Sequence, residues 1–117
     1  MNTITTPPIM EAALTVTNLV AQRFDCTQAE VVSLKRGVEN ISKARHMAMW
    51  LLRLRGWGYT TIGEYFRRNH AAVMHGCNAV NNRFDVEPRY KQMWPEYADF
   101  RVALKNYEPV VGEESWN

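Results

Sequence analysis

Two stretches with helical character, at residues 60–66 and 69–84, are separated by only Arg67 and Arg68, and that spacing constrains the fold more than any other feature. Helices joined so tightly must turn sharply and pack against one another at once, which is the helix-turn-helix arrangement. Gly63 lies in the first helix of the pair, where a missing side chain lets the second helix approach closely. Glycine costs about 1 kcal/mol of helix propensity at such a position, so close packing is the reason to expect it there.

The rest of the chain has the same helical character. From Ile9 to Phe24, Ala13, Val16, Leu19, Val20 and Phe24 recur at three- and four-residue intervals and define one apolar face. Thr27-Gln28-Ala29-Glu30 has the form of a capping box and predicts a short helix to about Leu34. Lys35-Arg36-Gly37 is a basic turn, after which Asn40 or Ser42 is expected to cap a helix running to about Leu54, with Ile41, Ala44, Ala48 and Leu51 inward. Gly56-Trp57-Gly58 ends that helix. Beyond Glu87-Pro88, the residues Tyr90, Met93, Trp94, Tyr97, Phe100 and Leu104 form an aromatic helical pattern, with a kink or fresh start expected at Pro95. Their spacing on one helix face assigns them to the core. The prediction is an all-α domain of five or six helices over residues 9–107, with a flexible lead at 1–8 and a loose tail at 108–117.

A chain of 117 residues with 46% hydrophobic content suits one core. No apolar run approaches the roughly 20 residues of a membrane span, and Met1-Asn2-Thr3 lacks the character of a secretory signal, so a cytoplasmic protein is expected. Cys26 and Cys77 form no CxxC pair. His70 and His75 are five residues apart rather than four, and no HExxH, nucleophile elbow or acidic cluster is present, so neither a metal, a cofactor nor catalysis is expected.

The formal charge is only +2, but residues 35–83 hold nine basic and two acidic residues between two mildly acidic ends. A basic centre suits a partner with regularly spaced negative charge. Within it, Arg67-Arg68-Asn69-His70-Ala71-Ala72 places two guanidinium groups just before a helix start. Arginines and a helix N-terminus hold phosphate, while side chains of the first turn reach base edges in the major groove. Asn69 has two competing uses, capping the helix or pairing with adenine. His70 is suited to donate to a base or a phosphate, and Ala71 and Ala72 are small enough to lie against thymine methyl groups.

Arg45-His46-Met47-Ala48-Met49-Trp50-Leu51-Leu52-Arg53 and Ile62-Gly63-Glu64-Tyr65-Phe66, followed by Arg68-Asn69-His70-Ala71-Ala72-Val73-Met74-His75-Gly76-Cys77, resemble the signature segments of the C-terminal domain of the bacterial replication initiator DnaA. The resemblance runs from about residue 10 to residue 105. It implies a Trp-repressor-like helix-turn-helix fold, with the helix from His70 in the major groove of double-stranded DNA. It further implies that a basic residue of the Lys35-Arg36 turn reaches the minor groove and that flanking basic residues, Lys43, Arg45, Arg67 and Arg68, hold phosphate.

The departures from the family pattern also carry information. An aspartate and two threonines of the family are replaced by Asn69, Ala71 and Ala72, so the preferred site is expected to differ. Asn78 and Ala79 stand where the family has basic residues. No GxxxxGK[ST] phosphate loop occurs in the sequence, so it is expected to act as a stand-alone DNA-binding domain rather than as a complete initiator. The alternative of a different class is a protein-interaction module of the same fold, engaging a replication or transcription protein through its C-terminal aromatic region.

Overall fold

The computed structural model describes residues 8–97, apart from Arg36. Six helices follow one another in the order α1 (Pro8–Arg23), α2 (Gln28–Val32), α3 (Glu39–Leu54), α4 (Tyr59–Phe66), α5 (His70–Val86) and α6 (Pro88–Met93), and a 3-10 turn closes the described chain at Pro95–Tyr97. Among the described residues there is no strand, and the fold is all-α as the periodicity predicts.

Helix α1 opens at Pro8, inside the lead expected from the double proline. The first position of a helix needs no amide proton, so proline is tolerated there. Residues 1–7 and 98–117, with Phe100, Leu104 and the expected tail, lie outside the described residues. At α2 the capping box is complete: Thr27 Oγ1 accepts from the Glu30 amide at 3.0 Å, and the Glu30 carboxylate accepts from the Thr27 amide at 2.9 Å. This helix stops at Val32, two residues before the predicted end.

The start of α3 departs from expectation. The helix begins at Glu39 with Val38 at the cap position and no side-chain cap, so neither Asn40 nor Ser42 serves. Asn40 instead donates its side-chain amide to the carbonyl of Phe24 at the end of α1. A tertiary acceptor has taken the group that a local reading assigns to the helix terminus.

Helix α3 is the central element, packing against α1, α2, α4 and α5. Its Ala44, Met47, Ala48, Met49, Trp50, Leu51 and Leu52 are buried, whereas Ile41 is only half-buried. Trp50 donates its indole N–H to Asn81 Oδ1 of α5 at 3.0 Å, which pairs two polar atoms inside the core. Phe84 packs on Trp50 with ring centroids 5.2 Å apart and meets Tyr90 edge-on at 5.5 Å. Tyr90 and Trp94 are buried and Tyr97 packs against the same cluster, so the described aromatic residues of the C-terminal segment belong to the core. Pro95 starts the 3-10 turn, the fresh start expected there.

A clasp joins the end of α1 to this segment. Arg23 donates to the Met93 carbonyl at 3.1 Å and to the Glu96 carboxylate at 2.8 Å, and its guanidinium lies 4.4 Å from the centre of the Trp94 ring.

Candidate nucleic-acid interface

The turn between α4 and α5 is built around two backbone requirements. A Cβ on Gly63 would lie 2.4 Å from the carbonyl oxygen of Arg68, so no other residue fits while the turn keeps its shape. The Arg68 amide donates to the Gly63 carbonyl at 2.8 Å and closes the end of α4. Arg67 then takes the left-handed conformation, with φ of 59°, at a position where glycine is the usual solution. Its side chain projects into solvent.

Asn69 is the cap of α5. Its Oδ1 accepts from the Ala72 amide at 2.8 Å, which decides between its two expected uses as far as that oxygen is concerned. Beyond the cap, His70, Ala71, Met74, His75 and Asn78 are exposed, while Val73, Gly76, Cys77 and Val80 are buried. The helix therefore turns one face into the core and leaves the opposite face of its first two turns outward. Its N-terminal end carries the partial positive charge of the aligned peptide dipoles.

Arg68 does more than contribute charge. It donates to the carbonyls of Ser33 and Leu34, each at 3.3 Å, and to that of Phe66 at 3.0 Å. These bonds fasten the loop that carries Lys35 to the start of α5. Lys35 itself is exposed, with its amide held by Ser33 Oγ at 3.0 Å. Arg36 lies outside the described residues.

Arg45 is only 4% exposed and donates to the carbonyls of Val31 at 2.8 Å and Glu30 at 2.9 Å, so it ties α3 to α2. Burial, then the nearby Arg68 charge, lowers its pKa below the ordinary arginine value. Arg68 is lowered likewise by burial and by Arg67. Two arginines whose charges repel, each donating to neutral backbone carbonyls, add positive potential to this end of the molecule.

Arg45 and Arg68 share a cleft of about 380 Å³ with Leu34, Ser42, His46, Met49, Ala72 and His75. Three of the sequence-predicted residues, Arg45, Arg68 and Ala72, thus line one cleft at the start of α5, and Asn69, His70 and Ala71, predicted with them, lie between Arg68 and Ala72 in the chain. Lys43 is not among them. Its ammonium pairs with Glu39 at 3.2 Å and Glu87 at 3.7 Å, and Glu87 lies beyond the far end of α5. That helix of 17 residues is about 25 Å long at 1.5 Å per residue.

His46, Met74 and His75 were not among the predicted site residues. His46 meets His75 edge-on with centroids 6.0 Å apart, and its Nδ1 accepts from Arg83 at 3.3 Å, which leaves the ring proton on Nε2. Burial first, then Arg83, His75, Arg45 and Arg68, lowers its pKa from the ordinary 6.5 to about 4, so the ring is neutral at pH 7. The spacing Ala71, Met74, His75, Asn78 would have marked an outward stripe on α5. Cys77 is fully enclosed, and burial pushes its thiol up to about 12, which removes it from thiolate chemistry.

Comparison with known proteins agrees with this architecture. Residues 14–80 match the family model described as the bacterial dnaA protein helix-turn-helix. Over 78 residues the chain is 32% identical to the chromosomal replication initiator protein DnaA of Lachnoclostridium phytofermentans, a match that covers 65% of this chain and 17% of that protein. The chain thus corresponds to a small part of that relative, and the matched segment takes in α2 to α4 whole and both the turn and the outward face of α5. The chain belongs to the bacterial DnaA helix-turn-helix family.

Proposed function

We propose that this domain binds double-stranded DNA with a sequence preference, laying the N-terminal end of α5 in the major groove. The observation that carries the reading is the pairing of an exposed, capped helix start with a cationic cleft at the same end of the molecule. His70 and Ala71 are the residues of the first turn that address bases, with Ala72 at the edge of the cleft. Asn69 keeps its Oδ1 on the cap and has its amide group left to offer a base. Lys35, Arg36 and Arg67 supply phosphate or minor-groove contacts, and Arg45 and Arg68 strengthen the local positive field from their carbonyl-bound positions. Lys43 contributes to the net field but is ion-paired elsewhere.

The setting we propose is cytoplasmic, in replication control or transcription regulation, for a compact genetic element such as a phage or plasmid. The same fold without base reading, serving only to engage a replication or transcription protein, is the second reading. It is favoured by one observation, that Arg45 and Arg68 spend their hydrogen bonds on the protein's own backbone.

Titration of a random-sequence duplex at several salt concentrations separates the two. DNA binding through phosphates weakens as a power of the salt concentration, and Arg67→Ala is expected to reduce the log-log slope by about 0.9 while the fold is preserved. Binding that is absent, or indifferent to salt, would overturn the proposal and leave the protein-interaction reading. Arg67 is the better probe than Arg68, whose removal also releases the Ser33–Leu34 loop.

A further inference from the structure

We propose that Gly76 is a positioning residue for duplex binding: having no side chain, it lets the His46 ring of α3 seat on the backbone of α5, and that seat fixes the spacing between the two walls of the cationic cleft. The inference rests on the duplex-binding reading above and deepens it by naming what sets the shape of the binding surface.

Glycine inside a helix weakens it relative to alanine, so a buried one needs a reason in its surroundings. At Gly76 the reason is α3. A Cβ there would lie 3.0 Å from His46 Cδ2 and 3.1 Å from Met49 Sδ, tighter than an ordinary van der Waals contact. Met49 is unbranched and has rotatable bonds with which to yield. His46 has less room. Its ring meets His75 edge-on with centroids 6.0 Å apart, and its Nδ1 accepts from Arg83 at 3.3 Å. Gly76 and Arg83 stand about two turns apart on α5, so a single ring spans that length of the helix and holds it against α3.

The seat adjoins the cleft. Arg45, His46 and Met49 line the cleft from α3, while Ala72 and His75 line it from α5. Gly76 follows His75 directly and stands one turn beyond Ala72, on the buried face of the helix. A side chain at position 76 would therefore push the two walls apart. The start of α5 would shift relative to Arg45 and every charge in the domain would be kept.

The test is a double-substitution cycle on the intact chain, read as affinity for a duplex selected from a random-sequence pool. Urea midpoints measured alongside show whether each variant is folded under the binding conditions. Gly76→Ala is expected to lose about tenfold in affinity, within the range of coupling between side chains in contact, and to shift the His75 ring signals in the proton NMR spectrum. In a His46→Ala background the added methyl meets the space the ring has left, so Gly76→Ala should then change affinity by less than about twofold. Full affinity in Gly76→Ala would overturn the proposal, even with a lowered urea midpoint, since the glycine would then serve folding alone. A loss of equal size in both backgrounds would overturn it too. Should Gly76→Ala alone prove unfolded, the double variant still decides, because it must fold and bind like His46→Ala, and failure to do so overturns the proposal. Absence of duplex binding by the unmodified chain would sink the DNA-binding reading and this proposal with it, an outcome seen before any variant is made.

Discussion

The two ends of α5 are made from one continuous helix but are held in opposite ways. Toward its C-terminus, Val80, Asn81 and Phe84 sink into a cluster of large rings from α3 and α6, where Asn81 Oδ1 accepts from the Trp50 indole. Toward its N-terminus His70, Ala71, Met74, His75 and Asn78 face outward, the cap is a single asparagine, and the supporting Arg45 and Arg68 are bonded to backbone carbonyls of α2, of the loop after it and of α4. One end provides rigidity and the other provides access. A helix anchored by aromatic packing at a distance can expose its first two turns without losing its direction.

Substitutions at the anchored end should have the largest effect. Phe84→Ala removes a fully buried ring between Trp50 and Tyr90 and should destabilise the domain by about 3–5 kcal/mol, measured as a lower urea midpoint. A loss below about 1 kcal/mol would mean that the aromatic cluster is not what holds the helix. Next is Gly63→Ala. The added methyl collides with backbone rather than with a movable side chain, so the α4–α5 turn must open, at a cost of about 2–3 kcal/mol, and duplex binding should suffer with it.

His46 of α3 packs against His75 and Arg83 of α5 and is expected to make folding stability depend on pH. The unfolded chain takes up a proton at this position below about pH 6.5, whereas the folded chain resists it until about pH 4. Folding stability should therefore fall as pH drops through that window, by about 1–2 kcal/mol after allowance for the ring's partial access to solvent. His46→Gln should flatten this part of the stability–pH curve; a curve unchanged by the substitution would assign the dependence to other groups.

Arg67 gives the smallest expected change in stability and the sharpest contrast. Its left-handed backbone suits glycine, so Arg67→Gly should raise stability by about 0.5–1 kcal/mol while weakening duplex binding. Stability and binding that move together would show that Arg67 is placed there for structure.

Local chemistry explains what the sequence disclosed and what it concealed. The Thr27–Glu30 box, the tight α4–α5 turn and the need for Gly63 all depend on residues within a few positions of one another, and each is where the sequence places it. Asn40 was misread as a cap because its partner is Phe24, sixteen positions away. The basic cluster was legible as a quantity of charge but not as roles. Lys43 is paired with Glu87, and Arg45 and Arg68 are bound to backbone oxygens of α2 and its following loop, relations that no residue spacing encodes.

The Arg23 clasp bears on the order in which the molecule assembles. It joins positions 70 and 73 residues apart, so the chain must first close a long loop, whereas the α4–α5 turn is completed by neighbours. Contacts of that kind come late, after the three-dimensional framework already exists. Arg23→Ala is therefore expected to speed unfolding and leave the refolding rate nearly unchanged in stopped-flow measurements. The clasp would then act as a latch on lifetime, setting how long the finished domain survives while the helix pair sets how quickly it forms.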